Sequence, residues 1–431
     1  MKKKLKVAFI CHFSNELVRS LLALHTLRLE KSVRKFFKHP LNDYHDYALW
    51  VSDYIEEFEK YDNFEFHIIS PHKGMKKVFQ DFAVNGIHYH MVKCDYGFIR
   101  NTLERFIKSE ERTNHIKQRR RINTIISNVD PDLVCLCGAE NPYYSASVLD
   151  IKDKPIMLLM QTALGNPKLQ IQDKEITQYR IKTENLVFKK VQYVGTSWKL
   201  FRDLAAKANP NLVFFRNRFP SHIPKIVSVE KNYDFVFFSR TLSKNKGIED
   251  TLKAFCEVSM EYPNATLLVI GYATKEYKET LKQIILKNNN KANIQFVASF
   301  DKINDLHREV QKAKIAVLPG ITAPLNSTVR ETMLLGMPTI VYETALTPEI
   351  NKEKRCLIVA ELENVASLIS CMRFAIENPT SVDQIGNNGK EYADIHFSNE
   401  KIVKNLTDCF ITIADNYYNK KDLRQELLLK F

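Results

Sequence analysis

The 431-residue sequence contains no apolar run of the roughly 18 residues that a membrane-spanning helix requires. No fixed-period repeat and no low-complexity tract is visible, so repeat arrays are excluded. The eight cysteines (Cys11, Cys94, Cys135, Cys137, Cys256, Cys356, Cys371 and Cys409) never fall in CxxC spacing. They read as buried thiols in a reducing cytosol, not as a metal site or a disulfide framework. Cys135 and Cys137 lie two apart in an apolar run, which puts them on one face of a strand. The start, Met1-Lys2-Lys3-Lys4, is basic, but the apolar stretch behind it contains Lys6 and soon meets His12. It reads as a first strand and not as a signal peptide, so a cytoplasmic chain is expected.

What is present is an apolar fraction of 45%, enough for two sizeable cores in a chain of this length. Charge is unevenly placed. Residues 1–225 hold 37 Lys and Arg against 24 Asp and Glu, and the rest holds 26 of each, so the whole surplus of 13 sits in the first half. A basic face suits nucleic acid, anionic lipid headgroups or a phosphorylated acceptor. Nucleic acid is not expected, because no recognition motif occurs and no aromatics interleave the basic run Glu111–Arg121. That run is a solvated helix face or a contact for anionic lipid.

Short runs rich in Val, Ile and Phe recur, separated by helical stretches, as buried parallel strands require. In the first half they fall at Lys6–Cys11, Phe64–Ile69, Ile87–Val92, Leu133–Cys137, Ile156–Met160, Val191–Val194 and Leu212–Phe215. The second half repeats the plan at Asp234–Phe238, Thr266–Ile270, Ile294–Val297, Ile315–Leu318, Thr339–Tyr342 and Leu357–Val359. The expected architecture is α/β, with two tandem doubly wound Rossmann-like domains. Residues 1–218 form the first, 219–232 a linker with Pro220 and Pro224, and 233–398 the second. From Asn399, Ile402, Leu406, Phe410, Ile413 and Tyr417 follow helical spacing, so 399–431 is expected to be a helical tail packing back on the body.

One segment departs from the plan. After strand one, residues of about 12–46 include a helix predicted at Glu16–Phe37 and the stretch His39 to His45; a second helix is predicted at Tyr47–Lys60. The piece leaves the carboxyl end of strand one, where open α/β sheets bind ligands, and carries His12, Asn15 and Arg19. It reads as an acceptor-side insertion or as a surface hairpin.

The strongest signal lies in the second half. Strand Asp234–Phe238 runs into Ser239-Arg240-Thr241-Leu242, then Lys244-Asn245-Lys246-Gly247, then a helix predicted at Glu249–Ser259. A polar turn with Arg and Lys at a helix start suits an anion. Strand Ile315–Leu318 leads into Pro319 to Glu331, where Asn326, Ser327 and Thr328 are N-cap candidates for a helix ending at Gly336. Glu331, about one turn into that helix, can accept hydrogen bonds from two hydroxyls of a ribose, or simply stabilise the helix start.

These blocks, with Val269-Ile270-Gly271, Ala313–Pro319, Gly336-Met337-Pro338 and Thr347-Pro348-Glu349, resemble successive motifs of glycosyltransferase family 4 over roughly residues 190–400. The resemblance implies a GT-B fold, two Rossmann-like domains facing a central cleft. It implies a retaining, metal-independent glycosyltransferase with no cofactor beyond its nucleotide-sugar donor. Arg240 and Lys246 match the pair that clamps the donor diphosphate, and Glu331 matches the second Glu of the E-x7-E motif, on the ribose. Ser239, Gly271, Asn326, Ser327 and Thr328 fall at donor-binding positions, and Asn217 where the family has its linker asparagine. Ala323 stands where the first Glu belongs, which leaves a catalytically silent binding protein as the alternative. His12-Phe13-Ser14-Asn15 replaces the double-glycine loop after strand one, and Gln161-Thr162 replaces a histidine after the fifth strand. The acceptor expected is a saccharide or lipid-linked saccharide, for a surface polysaccharide, with the enzyme at the inner membrane face.

Other motifs carry less. Asp130-Pro131-Asp132 spells D-x-D but reads as a turn into a strand, and no essential metal is expected. Glu140, after strand Leu133–Cys137, and His12 are possible bases or satisfied turn and core residues. With Asn15 and Gln161 they make up the acceptor-side candidates. His88 and His90 share one strand face, but zinc would need further ligands, and none stand at suitable sequence spacing.

Overall fold

The computed structural model describes the chain except residues 1–3, 25–45, 95–108, 168–169, 171–175, 290, 299, 301, 322–324, 345 and 431. It divides into two compact units. The N-terminal unit comprises Met1–Pro220 with Asn399–Phe431, and the C-terminal unit Ser221–Ser398.

Among the described residues the N-terminal unit holds eight strands: β1 (Leu5–Ile10), β2 (Phe64–His72), β3 (Phe79–Val84), β4 (Ile87–Lys93), β5 (Leu133–Cys137), β6 (Ile156–Leu159), β7 (Tyr193–Thr196) and β8 (Val213–Arg216). Their order in the sheet is β3-β4-β2-β1-β5-β6-β7-β8, parallel throughout except that β3 runs antiparallel to β4. Sequence reading missed β3. Its side chains are alternately exposed and half-buried, so it lacks the apolar run that marks an interior strand.

The first helix, α1 (Glu16–Leu21), stops long before Phe37. Leu22 takes an extended conformation and Leu24 bridges Met75, which ends the helix after six residues. His39 and His45 lie outside the described residues. The second, α2 (Leu49–Phe58), packs Tyr54, Ile55 and Phe58 on the sheet, with Phe58 stacked on Phe66 at 4.0 Å. On the opposite face α3 (Ile116–Val129) buries Ile122, Ile125 and Ile126 against Ala8, Ile10 and Val134.

Among the described residues the C-terminal unit carries six parallel strands, β9 (Tyr233–Thr241), β10 (Thr266–Tyr272), β11 (Asn293–Val297), β12 (Ala313–Val317), β13 (Thr339–Tyr342) and β14 (Ile358–Ala360), in the order β11-β10-β9-β12-β13-β14. Its helices α4 (Ile248–Glu261), α5 (Ile303–Val310) and α6 (Ser327–Leu334) bear on the candidate site. Val, Ile and Phe on both faces of β9 and β10 are buried, as expected of central parallel strands.

The last helix, α7 (Asn399–Asn419), belongs to the N-terminal unit. Ile402, Leu406, Phe410 and Ile413 enter the same core as Phe64 and Phe66, and Asn405 donates to the carbonyl of Arg216. No helix of the described residues is long and apolar enough to cross a membrane.

Candidate functional site: two turns at the edge of the C-terminal sheet

β9 ends in Ser239-Arg240-Thr241, and a short 3-10 turn, Lys244–Lys246, leads through Gly247 into α4. Gly247 has φ 84°, the left-handed region, and a Cβ there would stand 2.2 Å from the carbonyl oxygen of Pro319. Only glycine fits both demands. The backbone N–H of Ile321 donates to the Asn245 carbonyl at 3.1 Å. The turn after β9 and the loop after β12, read separately in the sequence, are thus one structure.

Gly271 completes that edge. β10 bulges there, and a Cβ would lie 2.3 Å from the Ser239 carbonyl, so its absence lets β10 close on the end of β9. The Ser239 hydroxyl donates to the Thr241 carbonyl, which fixes the turn from which Arg240 emerges exposed. Lys246 is half-buried, and desolvation pulls its ammonium below the ordinary lysine value. Among the described residues no carboxylate forms an ion pair with it. A cation partly stripped of water and unpaired in this way favours an anionic ligand.

Asn326 sits at the N-cap of α6, but its side chain makes no capping bond; it turns toward Gly320, where a Cβ would meet its amide nitrogen at 2.2 Å. The first-turn N–H groups beside exposed Ser327 and half-buried Thr328 are therefore not taken by that side chain. Gly336, at φ 69°, ends the helix, with Met337 N–H bonded to the Thr332 carbonyl. Ala323 lies outside the described residues.

Glu331 is buried, and its carboxylate accepts from His307 Nε2 of α5 at 3.0 Å. His307 is fully buried, stacks on His222 at 5.6 Å, and its buried Nδ1 has no partner among the described residues. Sequence reasoning missed His307, because only the packing of α5 on α6 brings it to Glu331.

The acceptor-side candidates stand at carboxyl ends of strands in the N-terminal unit. His12, after β1, stacks on Tyr47 at 4.3 Å and hydrogen-bonds the Tyr143 hydroxyl. Burial, with the Lys73 and His72 charges, pulls its imidazole down to about 4. Asn15 caps α1, accepting from Val18 N–H and donating to Ser52, so both ends of its amide are engaged. Glu140 and Gln161, after the adjacent strands β5 and β6, converge over Gly138. A Cβ at Gly138 would lie 2.6 Å from the Glu140 carboxyl and 2.9 Å from the Gln161 amide. Desolvation pushes the Glu140 carboxyl up to about 7, and one of its oxygens is buried without a partner among the described residues. Glu184, not singled out in the sequence, accepts from the N–H groups of Leu164 and Gly165 and is likewise pushed up to about 7 by burial. Asn217 is buried beside the Tyr54 hydroxyl. Asp130 pairs with Lys154, and Asp132 accepts from the Lys6 N–H, so both acids of the D-x-D serve the turn before β5.

Residues 221–392 match the family model described as glycosyl transferases group 1. That stretch lies within the C-terminal unit. A search of curated proteins finds no match. Among solved structures, sucrose-phosphate synthase from Thermosynechococcus elongatus superposes with a TM-score of 0.68 at 12% identity, covering 95% of this chain and 98% of its own. An E. coli structure described as trehalose-6-phosphate bound with UDP-2-fluoro glucose gives 0.64 at 6% identity, covering 94% and 98%. HepE from Anabaena in complex with UDP and glucose gives 0.60 at 13% identity, covering 94% and 98%. These likenesses show a GT-B fold.

Proposed function

We propose that the C-terminal unit binds the diphosphate of a nucleotide-sugar and that the chain transfers the sugar to a saccharide acceptor held by the basic N-terminal unit. The observation that carries this reading is the union of two anion-suited turns by the Ile321–Asn245 hydrogen bond, with unpaired Lys246 in the same turn. Lys246 and Arg240 neutralise the charge that gathers on the departing nucleotide diphosphate, and the N-terminal turn of α6 supplies N–H donors. Glu331, kept in place by His307, receives the ribose hydroxyls. HepE binds UDP-glucose, and the E. coli neighbour binds a fluorinated UDP-glucose; both support a UDP-sugar as the first donor to test.

Finer points belong to the same proposal. Transfer is retaining and needs no metal, since cationic side chains and helix N–H groups carry the leaving charge. The acceptor is a saccharide or lipid-linked saccharide of a surface polysaccharide, met by the basic first half at the inner membrane face. Screening thermal stability against a panel of nucleotide-sugars tests the donor claim. A ligand at ~100 times its dissociation constant stabilises by roughly 2.7 kcal/mol. No shift with any nucleotide-sugar overturns it. Ala323 favours a second reading, a protein that binds the donor without transfer. A shift with a donor that is neither hydrolysed nor transferred to any saccharide tried selects that reading.

A further inference from the structure

Three imidazoles and two carboxylates meet on one face of the N-terminal sheet, toward the amino ends of its strands. β2 places Glu65 and His67 on that face. Parallel pairing sets His88 of β4 beside His67, and antiparallel pairing sets Asp81 of β3 beside His90. The ligands that sequence spacing did not offer to His88 and His90 thus come from neighbouring strands.

The contacts form a chain. Glu65 Oε1 lies 2.8 Å from His67 Nε2, His67 Nδ1 lies 2.9 Å from His90 Nε2, and His90 Nδ1 lies 2.9 Å from Asp81 Oδ1. Three contacts need three protons, and two neutral rings carry two. With His90 donating to Asp81 and His67 donating to His90, the lone pair of His67 Nε2 faces the Glu65 carboxylate. That contact is repulsive unless a positive charge joins it. Lys6 forms an ion pair with Glu65 at 3.6 Å and donates one of its three N–H groups to the Val129 carbonyl, but it puts no proton between Glu65 and His67. His88 stacks on His67 with centroids 4.7 Å apart and brings a third ring nitrogen. Ligand atoms of Glu65, His67 and His88 all lie within 4.8 Å of one another. Ligands on a tetrahedral zinc stand roughly 3.4 Å apart, given zinc–nitrogen distances of about 2.0–2.1 Å. The Glu65–His67 contact at 2.8 Å is shorter than that and the 4.8 Å limit longer, so metal binding calls for side-chain rotation that opens the one and draws in the third ligand.

We propose that Glu65, His67 and His88 bind a late first-row divalent cation, zinc foremost, while Asp81 and His90 hold His67 in the metal-binding tautomer. Imidazole and carboxylate ligands suit zinc and its neighbours, and a hydrogen-bonded second ring nitrogen is the usual support for a ligating histidine. The cation fastens the β3–β4 hairpin to β2. Its place at the amino ends of the strands, away from the ligand-binding edge of an open sheet, makes the role structural.

The test uses the full chain without any histidine tag, dialysed against micromolar zinc and assayed for bound metal and melting temperature. One equivalent of zinc is expected, with a rise of several degrees that a chelator reverses. His88→Ala, at a half-buried position, should abolish stoichiometric binding, and His88→Gln should do the same while keeping the side-chain volume. His90→Ala and Asp81→Asn should weaken binding roughly 10- to 100-fold. Far-UV circular dichroism checks that each variant folds. Substoichiometric metal, or full binding in both His88 variants, overturns the proposal. So does nitrogen-15 NMR showing His67 as an imidazolium that zinc does not displace, because the third contact is then closed by a proton.

Discussion

The two units present the same kind of surface, the carboxyl edge of a parallel sheet, and equip it in opposite ways. In the C-terminal unit the edge is made by backbone. Gly247 and Gly271 let chain segments touch, and the charged groups Arg240 and Lys246 stand on the turns so formed. In the N-terminal unit the edge is filled by side chains. His12 is enclosed by Tyr47 and Tyr143, and Glu140 and Gln161 fold over Gly138. On the proposed function, a rigid backbone cradle suits a diphosphate, the part that all nucleoside-diphosphate sugars share. A surface of side chains can be altered residue by residue, which suits acceptors that differ from protein to protein.

The largest effect expected from this contrast is on turnover. Lys246→Ala, or Arg240→Ala, should lower sugar transfer roughly 100- to 1000-fold, the range seen when one preorganised charge-stabilising group is removed. The melting temperature should stay close to wild type, since neither side chain is packed in a core. Steady-state kinetics with an identified donor measures this. Turnover within a few-fold of wild type would end the assignment of the basic turn to the diphosphate.

Gly247→Ala attacks the cradle itself. It places a side chain at positive φ against the Pro319 carbonyl, and strain of about 1–3 kcal/mol is expected in the C-terminal unit. Urea unfolding followed by probes in each unit should show the C-terminal transition moving to lower denaturant while the other holds. Equal shifts in both would mean that the units unfold as one.

Glu331→Gln sharpens the comparison at a smaller scale. The amide keeps the shape but is a poorer acceptor for ribose hydroxyls, so donor KM should rise about 10-fold, near 1.4 kcal/mol, with kcat little changed. A fall in kcat at unchanged KM would instead put Glu331 at the reacting sugar.

The two edges were also unequally legible. Strand–turn–helix order and the short motifs Ser239-Arg240, Lys246-Gly247 and Arg330-Glu331 are local, so the C-terminal turns could be read from spacing. The contact between those turns could not, because it depends on β9 and β12 being neighbours, a consequence of sheet order and not of sequence distance. His307 was hidden for the same reason. In the N-terminal unit almost everything that matters is non-local. Tyr143 reaches His12 across 131 residues, and His67 meets His88 only through strand pairing. β3 and the early end of α1 were missed because an exposed edge strand lacks an apolar run and because the bridge from Leu24 to Met75 overrides helical spacing.

The smallest effect tests whether the N-terminal edge is as dry as its packing suggests. Glu140 titrates at about 7 in the folded chain against 4.5 for the ordinary carboxyl, with desolvation the main cause. Between those values the folded state keeps a proton that the unfolded chain releases. Stability is therefore whole below about pH 4.5 and is lost as pH rises through 7. Each pKa unit corresponds to about 1.4 kcal/mol, but the half-buried residue is partly screened by water, so an effect on the order of 1 kcal/mol is expected. Glu184, also raised to about 7, acts in the same direction. Glu140→Gln removes the charge and keeps the volume. Its urea midpoint should exceed wild type at alkaline pH and match it in acid. If the two curves coincide across the whole range, Glu140 is solvated, and the N-terminal edge is then as open to water as the turn that carries Arg240.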